Sequence, residues 1–246
     1  MKRFLIGIMA LLLSMYLWGC GEDPAAEETL PAISEATAEV AAPETAPPET
    51  VSATQPTVRE PRPEPENTDF VRILDYIPDL AVELKYATED NFTGRIIYEF
   101  REAYLRYGTV KKLMAVQEEL RQQKLSLKIW DAYRPTEAQF ALWEACPDTR
   151  YVANPNRTNS AHSRGNTVDV TLVDENGEGI PMPTGFDDFS PLADRDYSDC
   201  SFDAMLNALL LEQTMQRHGF SGYKGEWWHF TDTDSYPVEE TFLPTN

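Results

Sequence analysis

Residues 160–173 read "SAHSRGNTVDVTLV", and their second half sets the fold. Thr167, Asp169 and Thr171 alternate with Val168, Val170 and Leu172. That is the two-residue period of a strand, written largely in β-branched residues that suit pleated backbone. Asp169 stands out on it, because a carboxylate taken out of water without a partner is costly. His162 lies seven residues earlier, an odd separation that would put the two side chains on opposite faces of one continuous strand. A turn at Ser163-Arg164-Gly165 removes that difficulty and folds His162 back over the face of Asp169. Taken alone, the pair fits a hydrogen-bonded aspartate beside a loop histidine as well as it fits part of a metal site.

Outward from this stretch the periods change. "LSLKIW" (125–130) alternates Leu125, Leu127 and Ile129 against Ser126, Lys128 and Trp130, as a half-buried strand does. It runs into "DAYRP", where Pro135 opens a helix predicted through Trp143. "DLAVELKY" (79–86) alternates as a strand, and Glu102–Gln122, with Leu105, Leu113 and Leu120 near heptad spacing, is predicted to be helical. Ser201–His218 is predicted as a helix with Leu206, Leu209, Leu210 and Met215 inward, closed by His218 in its last turn and by Gly219. "GYKGEWWHF" (222–230) reads as a final strand-like segment. Strands that do not strictly alternate with helices indicate an α+β fold.

The N-terminal third is of another kind. Lys2 and Arg3 precede an apolar run from Phe4 to Leu13, followed by "LWGC" at 17–20. A charged start, a short apolar stretch and a small residue before a cysteine read as an export signal, too short for an ordinary membrane span. "LWGC" resembles the bacterial lipoprotein box, which implies a signal peptide over 1–19 and lipidation of Cys20. A plain secretory signal or an uncleaved anchor are the alternatives. The expected location is extracytoplasmic, lipid-anchored to a bacterial membrane. Residues 20–67 hold nine of the 18 prolines, few residues able to form a core, and no aromatic ring before Phe70. Such a segment is a solvated tether. Residues 68–246 remain, enough for one domain with a sizeable core. The formal charge of −20, with no basic stripe, argues against a nucleic-acid partner. Cys146 and Cys200 are compatible with a disulfide or with two buried thiols. Nothing in the pattern specifies an oligomeric state.

"GEWWHF" (225–230) supplies the rest of the candidate site. His229 with His162 and Asp169 makes a His₂-carboxylate set, three protein ligands with one position free for water, as hydrolytic zinc sites require. Glu226 then suits the carboxylate that takes the proton of that water and passes it to a leaving amine. It reaches that place if the chain turns at Gly225–Trp227. Trp227 and Trp228 are expected to wall the site. Arg134, close to Asp131, offers a cation to the oxygen that gains charge when water adds to a carbonyl; a surface Asp–Arg pair is the alternative. His218 is explained by its place at a helix end.

Together, "SAHSRGNTVDV", "EWWH", "WDAYRP" and "KYATEDNFTG" (85–94) occur in the order and spacing of the D-alanyl-D-alanine dipeptidases, the VanX-like branch of the zinc D,D-peptidases. The similarity covers residues 70–236. This resemblance implies a mainly antiparallel central sheet flanked by helices, of the kind the hedgehog signalling domain shares. It also implies one Zn²⁺ per domain on His162, Asp169 and His229, Glu226 as general base and acid, and Arg134 on the tetrahedral intermediate. Ser160, Tyr86 and Asp187 match positions near the family's substrate. The implied reaction is hydrolysis of a small D,D-dipeptide, D-Ala-D-Ala, to two D-alanines. A D,D-carboxypeptidase acting on stem peptides of peptidoglycan and a non-catalytic zinc-containing binding lipoprotein are the other readings; retention of both Glu226 and Arg134 speaks against the last. Ala132 stands where many members have glycine, and Asn166-Thr167 replaces smaller residues. The export signal departs from the cytoplasmic resistance dipeptidases and implies recovery of D-alanine from wall fragments or imported dipeptide.

Overall fold

The computed structural model describes residues 63–245; the expected signal segment, Cys20 and the expected tether through residue 62 lie outside the described residues. In chain order the elements are strands β1 (Phe70–Arg72), β2 (Ala81–Val82) and β3 (Tyr104–Arg106), helix α1 (Tyr107–Arg121), strand β4 (Leu125–Asp131) and helix α2 (Thr136–Ala145). Strand β5 (Thr167–Asp174), helix α3 (Phe202–Arg217) and strands β6 (Phe220–Gly222) and β7 (His229–Asp232) complete it. The main sheet has the order β2-β4-β5-β7-β6, and β1 pairs with β3 in a separate two-stranded ribbon. Only the β2–β4 pair is parallel among these; the others run antiparallel. The fold is α+β, as its sequence pattern indicates.

β5 is the central strand, and Thr167 to Val173 are all buried. Its apolar residues meet apolar partners across both neighbours: Leu172 lies opposite Leu127, Val170 opposite Ile129, and Val168 opposite Phe230. Directly opposed residues share a face. That face belongs to one core with Leu113, Val116 and Leu120 of α1 and Ala208, Leu211 and Met215 of α3. Full burial of each leucine contributes on the order of 1.5–3 kcal/mol before chain entropy is counted. The opposite parity on β5 carries Asp169.

Several local expectations shift. The helix predicted from Glu102 begins at Tyr107, because Tyr104–Arg106 pairs with Phe70–Arg72, a partner distant in sequence. "DLAVELKY" contributes only Ala81–Val82 as strand and then tightens into a 3₁₀ turn at Lys85–Ala87. On α3 the inward row is Ala204, Ala208, Leu211 and Met215, and Leu206 is 47% exposed. Small alanines on the packed row allow close approach, which total apolarity does not reveal. "GYKGEWWHF" is not one strand: β6 stops at Gly222, and β7 begins at His229. Cys146 and Cys200 are both free thiols of intermediate burial. Among the described residues, no helix is long and apolar enough to cross a membrane. Glu64 accepts a hydrogen bond from the Tyr107 hydroxyl (2.9 Å), and the Asn67 carbonyl accepts one from the Gly108 amide (3.0 Å), so residues ahead of β1 are already tied to α1.

Candidate metal centre and active site

Three backbone devices bring the candidate residues together. The β5–β7 register sets Asp169 directly opposite His229, so both side chains leave the same face. On the other side, Ile129 pairs with Val170 but Asp131 with Asp169; one extra residue on β4 makes a bulge. Without it Asp131 would share the core face of Ile129. The third device is the turn before β5, a 3₁₀ segment at Ala161–Arg164 closed by Gly165 at φ +74°. A side chain at Gly165 would meet strain at that φ and would run into the Phe70 ring. The turn expected at Ser163-Arg164-Gly165 thus forms there, and it sets His162 above Asp169.

The resulting distances are short. His162 Nε2 is 3.3 Å from Asp169 Oδ2, His229 Nδ1 is 3.0 Å from Asp169 Oδ1, and the two imidazole nitrogens are 3.3 Å apart. His162 Nδ1 donates to the Ala132 carbonyl at 2.8 Å, which turns the Nε2 lone pair towards the cluster. Burial pushes the Asp169 carboxyl up, but the charges and hydrogen bonds of the two imidazoles outweigh it and hold it well below the usual carboxylate range.

These residues fit a divalent cation. His162, Asp169 and His229 each offer a ligand atom within 4.8 Å of the others, and Asp169 Oδ1 is buried with no neighbour of its own but His229 Nδ1, itself a candidate ligand atom, at 3.0 Å. Zinc held tetrahedrally at about 2.0–2.1 Å by nitrogen and oxygen would set neighbouring ligand atoms about 3.3–3.4 Å apart, close to the spacing seen. Two imidazoles and one carboxylate form the donor set of hydrolytic rather than purely structural sites.

Glu226 stands beside this group, with Oε2 3.6 Å from His229 Nδ1. The chain turns just ahead of it, the Glu226 amide donating to the Tyr223 carbonyl (3.3 Å), slightly earlier than expected. Burial, with Asp169 and Asp187 adding to it, pushes the Glu226 carboxyl up to about 7 against the pull of His229 and Arg134. Arg134 is buried, so the surface-pair alternative does not apply. Its Nε and Nη2 donate to Asp131 Oδ2 at 3.0 and 2.6 Å, and its Nη1 donates to Gln139 Oε1 at 2.9 Å. Asp131 is fully buried and also accepts from the Tyr98 hydroxyl (2.8 Å) and the Ala132 amide (2.9 Å). The guanidinium is fixed from behind, with Nη2 4.0 Å from Asp169.

A cavity of about 280 Å³ opens over these groups. Tyr86, Arg134, Ser160 and Asp187 line it together with His162, Asp169, Glu226 and His229. The eight candidate ligand, catalytic and substrate residues are therefore brought to one space. The Tyr86 hydroxyl donates to Asp187 Oδ2 at 2.8 Å, and burial raises the Asp187 carboxyl to about 7. Asp187 also sits at φ +54°, an uncommon conformation outside glycine. Trp227 and Trp228 do not line the cavity; both are 1% exposed and belong to the core, where Trp227 Nε1 donates to Thr184 Oγ1. They anchor the chain on either side of the site instead of walling it. His218 faces Glu119 at 2.8 Å and takes no part in the cluster. Gln139, Phe92, Tyr151 and Phe189 also line the cavity and escaped notice in the sequence. A polar residue on the inward row of α2, between Ala138 and Leu142, is the one signal that pointed to Gln139.

A family model described as D-Ala-D-Ala dipeptidase, of peptidase family M15, matches residues 66–245. The chain belongs to this family. A D-alanyl-D-alanine dipeptidase of Escherichia coli is 39% identical over 175 residues, covering 70% of this chain and 90% of the relative. One from Enterococcus faecium is 33% identical over 189 residues, covering 68% and 94%. A solved structure of VanYB in complex with D-alanine-D-alanine overlaps at a TM-score of 0.36 and 15% identity, over 54% of this chain and 73% of that one. The span shared with the peptidase family runs from before β1 to beyond β7 and includes every cavity residue named above.

Proposed function

We propose that this member of the family is a zinc-dependent dipeptidase that hydrolyses D-Ala-D-Ala to two D-alanines. The observation that carries the reading is the convergence of His162, Asp169 and His229 with Glu226 and Arg134 on one small cavity. A purely structural metal needs neither of the last two. One Zn²⁺ held by the three ligands would supply the positive charge that acidifies water and polarises a carbonyl. Glu226 accepts a proton at Oε2 and delivers it to the leaving amine, a role suited to a carboxyl tuned near neutrality. Arg134, held rigid by Asp131 and Gln139, faces the charge that develops on the scissile carbonyl oxygen. Tyr86, Asp187 and Ser160 orient the dipeptide, with Asp187 available to its ammonium group.

The size of the cavity favours a dipeptide over a stem peptide. At about 280 Å³ it lies at the lower edge of the range for drug-sized ligands. The test is a side-by-side assay of the zinc-loaded protein on D-Ala-D-Ala and an N-acylated stem peptide. Turnover of the free dipeptide is expected; turnover of the acylated substrate alone would overturn the assignment in favour of a D,D-carboxypeptidase.

The location follows from the other end of the chain. Lys2-Arg3, the apolar run and "LWGC" support export, removal of 1–19 and lipidation of Cys20, with residues 20–67 as a tether whose last residues, Glu64 and Asn67, are already held against α1. An enzyme so placed would recover D-alanine from wall fragments or incoming dipeptide. Mass spectrometry of the mature N-terminus checks this: a diacylglyceryl mass on Cys20 is expected, lost in Cys20→Ser, and a free N-terminus beyond Cys20 would refute it.

A further inference from the structure

Beside the cavity lies a second pocket of about 210 Å³. Arg150, Tyr151, Phe189 and Glu226 line both spaces, so these side chains stand between them. Two of these four, Tyr151 and Phe189, are aromatic. Tyr151 and Phe189 stack with centroids 4.4 Å apart and planes 20° apart, and Phe92 packs against Phe189 with a centroid distance of 5.2 Å. Arg150 adds little closure, since its side chain is 74% exposed and its guanidinium is paired with Asp148.

Each ring comes from a different loop, and each loop is braced by its own hydrogen bonds. Asn91 holds the Phe92 turn, its side chain donating to the Thr88 and Arg95 carbonyls (2.7 and 2.9 Å) and accepting from the Thr93 amide (2.9 Å). The Tyr151 and Val152 amides donate to the Asp148 carbonyl (3.1 and 2.9 Å). The Ser190 amide donates to Asp188 Oδ1 (2.8 Å) beside Phe189. The three rings are thus set in place before any substrate arrives. None of them is a charged or nucleophilic group, so they contribute shape. Because Glu226 borders both pockets, the outer space lies next to the reacting end of the inner one.

We propose that the stacked rings of Phe189 and Tyr151, backed by Phe92, set the length limit of this site. With the rings in place the inner cavity takes a dipeptide; without the Phe189 ring it joins the outer pocket and accepts a longer or N-blocked D,D-peptide. The inference rests on the dipeptidase reading above and deepens it.

The test compares wild type, Phe189→Ala, Tyr151→Ala and Phe189→Tyr as zinc-loaded full-length proteins. kcat/KM is measured on D-Ala-D-Ala, D-Ala-D-Ala-D-Ala and N-acetyl-D-Ala-D-Ala. Binding of the same three peptides is followed by calorimetry in a Glu226→Gln background, which reads length preference without turnover. In either alanine variant the longer-to-dipeptide ratio should rise by at least about tenfold, the scale on which pocket shape discriminates small groups. Phe189→Tyr should keep the wild-type ratio. A purely structural role for the rings would lower all substrates together and leave the ratio flat. A flat ratio in turnover or binding for both alanine variants, with zinc content retained, overturns the proposal, as does a wild type that takes all three peptides equally well. Failure of the dipeptidase reading shows separately, as absent wild-type turnover of D-Ala-D-Ala; the binding ratios still decide the length limit in that case.

Discussion

The two sides of the cavity are built by different means. On the metal side, Asp169 and His229 are opposed residues of two hydrogen-bonded strands, and His162 is locked by a left-handed glycine and a backbone carbonyl. On the facing side, Tyr86, Asp187, Phe92, Tyr151 and Phe189 stand on loops held by local turns and ring contacts. A sheet cannot slip by one residue without turning every side chain to the wrong face. A loop can change a ring and keep its path. The proposed chemistry therefore sits on the part of the fold that tolerates least, and the proposed length limit on the part that tolerates most.

That contrast can be broken or sharpened by experiment. The largest effect is expected from Glu226→Gln, which should lower kcat by about 10²–10⁴ with zinc still bound. Zinc content measured beside turnover checks it, and full activity would remove Glu226 from its role. Next comes Arg134→Ala, with an expected loss of about 10²–10³ in kcat and little change in zinc affinity. Asp131→Asn should follow, lowering kcat by about 10–100-fold through Arg134 and the His162 turn, the usual scale for a group that orients functional side chains. An unchanged kcat in that variant would mean that Gln139 alone suffices to hold the guanidinium.

A pH experiment addresses the metal side alone. Burial raises the Glu226 carboxyl to about 7, so near neutrality part of it carries a proton in the metal-free protein. A cation bound beside it favours the ionised form and pulls that pKa down. Zinc uptake at pH near 7 should therefore release protons, and Glu226→Gln should release fewer. Titration calorimetry in buffers of different ionisation enthalpy measures the difference. The smallest effect is expected on the loop side: Asn91→Ala, which loosens the Phe92 turn, should raise KM for the dipeptide by less than about tenfold and leave zinc binding unchanged, as loss of a few neutral hydrogen bonds implies. A large loss of zinc in that variant would show the two sides to be coupled.

Much of this architecture was legible in residue order. The period-two run of 167–173, the alternation of "LSLKIW" and the turn at Gly165 correspond to β5, β4 and the His162 turn. Asp169 announced itself as a charge on an apolar strand. Less legible were β1 and β3, three residues each, which exist because they pair with one another across a long sequence interval. Leu206 was misjudged because helix phase depends on which neighbour α3 meets, and Trp227 and Trp228 because bulk alone does not say whether a ring lines a cavity or fills a core.

By itself, residue order determined which side chains are available: two imidazoles, an aspartate, a glutamate and an arginine on segments whose local propensities are strong. Only the tertiary structure decided that they meet. The β5–β7 register, the bulge that turns Asp131 towards Arg134, and the three rings that line the cavity all depend on contacts between residues far apart along the chain. Local periodicity carries no information about such pairings, because each is selected by the packing of the whole core.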